Sequence, residues 1–264
     1  MSMVIATVVV LAVVGLVIGY LLVTAGEKFK VEVDPKEVAV RDLLPGANCG
    51  ACGYAGCDAL AAAIAKGAAP ANACSAASAD KKAEIAAVMG VAAVEDGPKN
   101  VAYVKCAGEC GIVNQAANYV GIRTCEAAAQ NPGKSGQACQ YGCFGFGSCT
   151  AVCPYDAIHV VNGLARVDRS KCVACGKCVA TCPQKLIEIV PDTAKYGVQC
   201  SNHDRGPAVK AACFSGCIAC GLCTRQCENG AITLSGNVAH IDQSKCTGCG
   251  KCADKCPVKI IRIR

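Results

Sequence analysis

The chain has 264 residues, 25 of them cysteine, with 4% aromatic residues and no Trp. A large aromatic core is therefore excluded, and cysteine at this density means a disulfide scaffold or a metal–thiolate protein. The cysteines fall mostly in C-x2-C steps closing with C-x3-C, and their number is odd, which is not how a disulfide framework is spaced. The formal charge of +6 counts every cysteine as neutral and so overstates the basicity of a thiolate protein.

Residues 4–23 form an uncharged run rich in Val, Leu and Ile, long enough at helical rise to cross a hydrocarbon layer. A transmembrane anchor is expected over residues 1–26. A cleaved signal peptide fits less well, because no Lys or Arg precedes the run and no A-x-A site follows it. Lys28, Lys30, Lys36 and Arg41 follow the run, so the positive-inside rule predicts a single-pass protein of the cell (inner) membrane whose remaining domains face the cytoplasm. Gly15 and Gly19 make a small-residue step that suits a partner membrane subunit.

Residues 27–95 hold Cys49, Cys52 and Cys57 in a glycine-rich loop, with Cys74 further on. Four thiolates are what one [4Fe-4S] cluster requires. Gly46, Gly50, Gly53 and Gly56 suit a chain wrapping a bulky group at close range. Ala-rich stretches at 58–69 and 76–94 predict short helices around the loop. The run LPGANCGACGYAGC, with a fourth cysteine after sixteen intervening residues and an apolar helix before it, resembles the B subunit of the Rnf complex. A similar four-cysteine domain occurs in the corrinoid iron–sulfur protein of acetyl-CoA synthesis.

From Cys139 the sequence repeats at a constant offset of 74. Cys139, Cys143, Cys149, Cys153, Cys172, Cys175, Cys178 and Cys182 recur as Cys213, Cys217, Cys223, Cys227, Cys246, Cys249, Cys252 and Cys256. Eight matches without a gap imply duplication. Each copy joins two cysteine motifs by a predicted hairpin, with turns at Asn162-Gly163 and around Ser235, Gly236 and Asn237. This layout resembles a bacterial two-cluster ferredoxin, giving one unit over 96–196 and another over 197–264.

In such ferredoxins the fourth cysteine of each motif ligates the other cluster. The resemblance then implies one set of Cys217, Cys220, Cys223 and Cys256, a second of Cys227, Cys246, Cys249 and Cys252, and a third of Cys153, Cys172, Cys175 and Cys178. The remaining motif has Phe146 where Cys220 stands in the repeat. Cys139 is the nearest substitute in sequence, so the expected set is Cys139, Cys143, Cys149 and Cys182; the alternative is a three-ligand or absent cluster. Cys106, Cys110, Cys125, Cys200 and Cys213 are left over. Cys106, Cys110, Cys125 and Cys200 are expected to make a sixth cluster, with Cys213 as the odd thiol, against the alternative that all are small buried apolar residues.

Four thiolates on a cubane core of about +2 leave roughly −2 per site, so the basic residues first serve as counter-charge and nucleic acid is not an expected partner. No strand-linked G-x-G-x-x-G is present, and GKS at 133–135 lacks the upstream glycine of a phosphate loop. His159, His203 and His240 are expected to be surface or hairpin residues, and no catalytic residue is expected in this chain. The expected fold class is α+β: a single N-terminal transmembrane helix, a small helical [4Fe-4S] domain and two tandem ferredoxin-like units.

The resemblance implies an electron-carrying subunit of a ferredoxin:NAD+ oxidoreductase that translocates ions. Six [4Fe-4S] clusters are expected, or five if the Cys106, Cys110 and Cys125 site is empty. Reduced ferredoxin would be the donor, and the flavin and membrane subunits of the complex the further partners. The alternative is a membrane-attached polyferredoxin serving another redox enzyme, such as a hydrogenase or carbon monoxide dehydrogenase.

Overall fold

The computed structural model describes residues 2–28, 34–92 and 98–263. Helix α1 covers Ser2–Lys28, and its described side chains, at 12–25, are nearly all exposed. Among the described residues no helix is long and apolar enough to cross a membrane. The expected single transmembrane helix is corrected by that finding, and the expected single-pass location in the cell membrane loses its basis with it. Lys30 and the boundary at residues 95–96 lie outside the described residues.

A helical domain follows. Helix α2, Pro35–Leu43, starts behind Asp34, whose side chain accepts from Lys36 N at 2.9 Å, and Pro stands in the first turn, where its missing N–H costs nothing. Helix α3, Cys57–Ala65, has no side-chain cap from its own N-cap glycine. Asn48 supplies one from the cysteine loop, its Oδ1 accepting from Cys57 N at 2.7 Å. Helix α4, Ala79–Met89, is capped by Ser78 and stopped by left-handed Gly90, as expected of Ser and Gly at those ends. Val40, Leu60, Ile64 and Ile85 are all 1% exposed or less and pack with Cys57 and Cys74 into one core.

The two ferredoxin-like units show the repeat in three dimensions. The first contains β1 (Asn100–Val104), α5 (Cys125–Gln130), α6 (Ser148–Ala151), β2 (Ile158–Val161), β3 (Leu164–Val167), α7 (Lys177–Thr181) and β4 (Ile187–Pro191). The second contains β5 (Tyr196–Val198), α8 (Gly206–Ala212), α9 (Leu222–Gln226), β6 (Ile232–Ser235), β7 (Val238–Ile241), α10 (Lys251–Asp254) and β8 (Ile261–Ile263). From α6 and α9 onward, each element of the first unit starts 74 residues before its counterpart in the second.

Within each unit the central strands form an antiparallel hairpin, β2 with β3 and β6 with β7. The outer strands pair antiparallel, β1 with β4 and β5 with β8. The hairpin turns carry Asn162-Gly163 and Gly236-Asn237, all at positive φ, as a two-residue turn matching strand twist requires. Tyr196 opens β5 and pairs with Ile263, so it goes with the second unit. The described strands form two-stranded sheets, and each unit's core sets four buried cysteines among a larger number of Ile, Leu and Val side chains.

Candidate iron–sulfur centres

The regular motifs share one local device. Gly176, Gly221 and Gly250 each follow a cysteine, sit at φ between 71° and 79°, and open α7, α9 and α10. The left-handed residue turns the chain so that the loop cysteines and the first-turn cysteine of the helix face the same space. Gly147 does the same at φ 80° before α6, although Phe146 precedes it in place of a cysteine. The irregular motif therefore keeps the wrapping and lacks only the thiol.

The fold gathers the cysteines into sets of four. One cavity of the second unit is lined by Cys217, Cys220, Cys223 and Cys256, and another by Cys227, Cys246, Cys249 and Cys252. In the first unit Cys178 lies in the electrostatic neighbourhood of Cys175, Cys172 and Cys153. In the helical domain Cys74 lies near Cys49 and Cys52 and shares a core with Cys57.

The other two groupings differ from the sequence expectation. Cys143, Cys149 and Cys182 line a cavity together with Cys125, not Cys139. Cys125 reaches it because residues absent from the second unit run out and return. Phe146 holds this insert, stacking on Tyr119 at 5.1 Å between centroids with the Arg123 guanidinium 5.9 Å above its ring. Cys125 is fixed at the start of α5: its N–H donates to Ser148 Oγ at 2.9 Å, and that hydroxyl donates to Glu126 Oε2 at 2.6 Å. Cys139 lines a different cavity with Cys106, Cys200 and Cys213. Cys110 stands apart, exposed, its N–H bonded to Asn162 O at 2.9 Å beside the first hairpin turn.

The surroundings of these sulfurs suit thiolates. Cys153 Sγ accepts from Ala157 N at 3.3 Å, Cys172 Sγ from Ala102 N at 3.3 Å and Cys182 Sγ from Leu186 N at 3.5 Å. Burial, helped by neighbouring cysteines, pushes the Cys149 thiol up to about 12 and those of Cys178 and Cys223 to about 11. Such groups are neutral at pH 7 unless a metal's positive charge binds the thiolate form. Among the described residues no three His, Cys, Asp or Glu side chains converge on a single metal ion. Sets of four cysteines lining common cavities supply the donor type and number that [4Fe-4S] clusters require.

The sets also adjoin one another. Cys49 lies in the electrostatic neighbourhood of Cys175. Between them is the buried Tyr155 hydroxyl, which has no partner of ordinary hydrogen-bond geometry and faces the Cys49 sulfur. Cys149 feels Cys178. No motif or spacing singles out Tyr155; only the packing of the helical domain on the first unit identifies it.

Comparison with known proteins agrees with this chemistry. Residues 44–76 match the Fe-S cluster family, residues 149–193 the LdpA Fe-S cluster-binding domain, and residues 216–260 the 4Fe-4S dicluster domain. The chain is 43% identical over 253 residues to the B subunit of the Na(+)-translocating ferredoxin:NAD(+) oxidoreductase complex of Acetobacterium woodii, covering 96% of this chain and 75% of that one. It is 39% identical to the B subunit of the ion-translocating oxidoreductase complex of Methanosarcina acetivorans, over 100% of this chain and 99% of the relative. Against the B subunit of the proton-translocating ferredoxin:NAD(+) oxidoreductase complex of Clostridium ljungdahlii it is 40% identical, over 99% and 93%. Four-thiolate sets in a duplicated ferredoxin frame, together with similarity along the whole chain, show that it belongs to the Rnf family of B subunits, the iron–sulfur electron-transfer subunits of ion-translocating oxidoreductases.

Proposed function

We propose that this chain takes single electrons from reduced ferredoxin at its second ferredoxin-like unit and passes them through its first unit and helical domain towards flavin subunits and NAD+. The observation that carries the reading is the adjacency of the cysteine sets of the helical domain and the first unit, with Cys149 near Cys178 and Cys49 near Cys175. The ligand sets are those the fold gathers. Bound there, [4Fe-4S] clusters supply one-electron storage at each site. The protein's part is to hold the sites in sequence, exclude water with its cores, and tune each site through N–H donors to sulfur. The relatives from Acetobacterium woodii and Clostridium ljungdahlii are subunits of ferredoxin:NAD(+) oxidoreductase complexes, which supports both the donor and the final acceptor.

Docking of an acidic ferredoxin is assigned to the basic end of the second unit. Lys255, Lys259 and Arg262 are exposed there, while Lys251 is engaged by Glu228 and Lys245 by Asp242. Charges of this kind chiefly set the association rate and its salt dependence. Replacing all three by Gln should slow reduction of the anaerobic chain by reduced ferredoxin on the order of 10-fold at low ionic strength, and much less at high salt, as followed by stopped-flow absorbance. An unchanged rate moves the docking surface elsewhere. No electron uptake from ferredoxin by the wild-type chain overturns the reading itself.

A further inference from the structure

We propose that Cys106, Cys139, Cys200 and Cys213 form a [4Fe-4S] site at the seam between the two ferredoxin-like units, joining the sites of one unit to those of the other. The role of this site rests on the relay reading; its existence does not. All four cysteines line one cavity, and each unit contributes two of them from repeat-related positions. Cys139 and Cys213 differ by the repeat offset of 74, and Cys106 and Cys200 by 94, the excess of 20 being extra residues in the first unit.

Cys106 and Cys200 stand in corresponding places, two residues after the ends of β1 and β5. The preceding residues make corresponding bonds, Lys105 N to Leu186 O at 2.7 Å and Gln199 N to Ile260 O at 3.0 Å. Leu186 and Ile260 are again 74 apart.

Hydrogen bonding to sulfur repeats the same pseudo-twofold pattern. Cys106 Sγ accepts from Gly108 N at 3.4 Å, and Cys200 Sγ from Asn202 N at 3.5 Å, in each case from two residues on. Cys200 Sγ also accepts from Cys217 N at 3.3 Å, while Cys106 Sγ accepts from the N–H of Cys143, the repeat counterpart of Cys217. The Cys213 sulfur has the Ser215 N–H. Cys139 Sγ has Asn202 Nδ2 at 3.5 Å. Asn202 is 2% exposed, a depth at which a carboxamide must be bonded, and its Oδ1 accepts from Asp204 N at 2.7 Å.

Cysteines buried merely as small apolar side chains have no need of a donor at each sulfur; thiolates on iron do. The seam itself is stitched by Phe214 N to Ile112 O at 3.0 Å, Asn114 N to Ala212 O at 2.9 Å and Ser201 Oγ to Lys105 O at 3.0 Å. The donors from Cys143 and Cys217 belong to residues that themselves line neighbouring sets. The seam site therefore touches one set in each unit, and supplies the link between units that the relay needs. A single electron passing along it reduces each site in turn and reoxidises the one it leaves, with no bond made or broken.

The test is iron and acid-labile sulfide analysis, with Mössbauer spectroscopy, on the anaerobically purified full chain. Cys139→Ser and Cys213→Ser should each remove about four irons, and the double variant should remove the same four rather than eight. Cys110→Ser should remove none. The Mössbauer signal of the remaining clusters reports that each variant still folds, and Asn202→Ala, which keeps all four thiols, should shift the potential of one cluster without loss of iron. Full iron content in folded Cys213→Ser, or a loss of eight irons in the double variant, overturns the site. Should the wild-type chain take no electron from ferredoxin while these iron counts hold, the relay reading fails and the site remains.

Discussion

Cys125→Ser should cost the chain one cluster, about four irons, and adding Phe146→Cys to the same variant should restore it. The fold places Cys125 with Cys143, Cys149 and Cys182, and Gly147 keeps the left-handed turn that in the regular motifs brings the preceding thiol to the cluster. A cysteine at position 146 would therefore rebuild the C-x2-C-x2-C spacing on a backbone already shaped for it. Phe146→Cys alone should leave the iron content unchanged. It should not rescue Cys139→Ser, because Cys139 lines the seam cavity instead. Rescue of Cys139→Ser by Phe146→Cys, with Cys125→Ser iron-replete, would show that the ligand set is the one nearest in sequence.

Removing the iron should unfold both ferredoxin-like units. Their sheets have two strands each, and an isolated two-stranded hairpin is marginal in water. Helices α6, α7, α9 and α10 have four or five residues, far below the ~12–15 at which helices hold alone. Four of the buried residues in each core are cysteines, whose sulfurs would be held by the metal. A domain's net stability is only about 5–15 kcal/mol, and binding energy at structural zinc sites runs to about 10–16 kcal/mol, so metal–thiolate bonding of that order decides whether these units fold. Anaerobic chelation should abolish the cooperative thermal transition and the amide-exchange protection of β1 to β8. Survival of the same transition in the iron-free chain would assign the stability to the apolar cores instead.

How far the sequence foretold this arrangement depends on the range of the interaction. The 74-residue repeat is a register, and a register transfers: the Asn162-Gly163 turn, the second hairpin and the paired motifs stand where their spacing placed them. Local chemistry was legible in the same way, with Asp34, Ser78 and Gly90 at helix ends.

What could not be read was which distant thiol meets an incomplete motif. Cys139 is four residues from Cys143 and Cys125 is eighteen, yet the insert held by Phe146 against Tyr119 and Arg123 brings the farther one in. In the repeat Phe146 stands as a missing ligand; its contacts with the insert have no signature in spacing. The seam set was hidden for a related reason, since its four members come from four loops and assemble only when the units pack. Composition alone points to a membrane span in the N-terminal run, and the described part of α1 does not support one.

The claim that this is a chain of six four-thiolate sites is tested most directly by quantitative Mössbauer spectroscopy with sulfide analysis on the wild-type chain. Six sites predict about 24 irons, matched by sulfide and all in [4Fe-4S] clusters. A count near 16 would remove both the Cys125 set and the seam set, and zinc in place of iron would contradict the account as a whole.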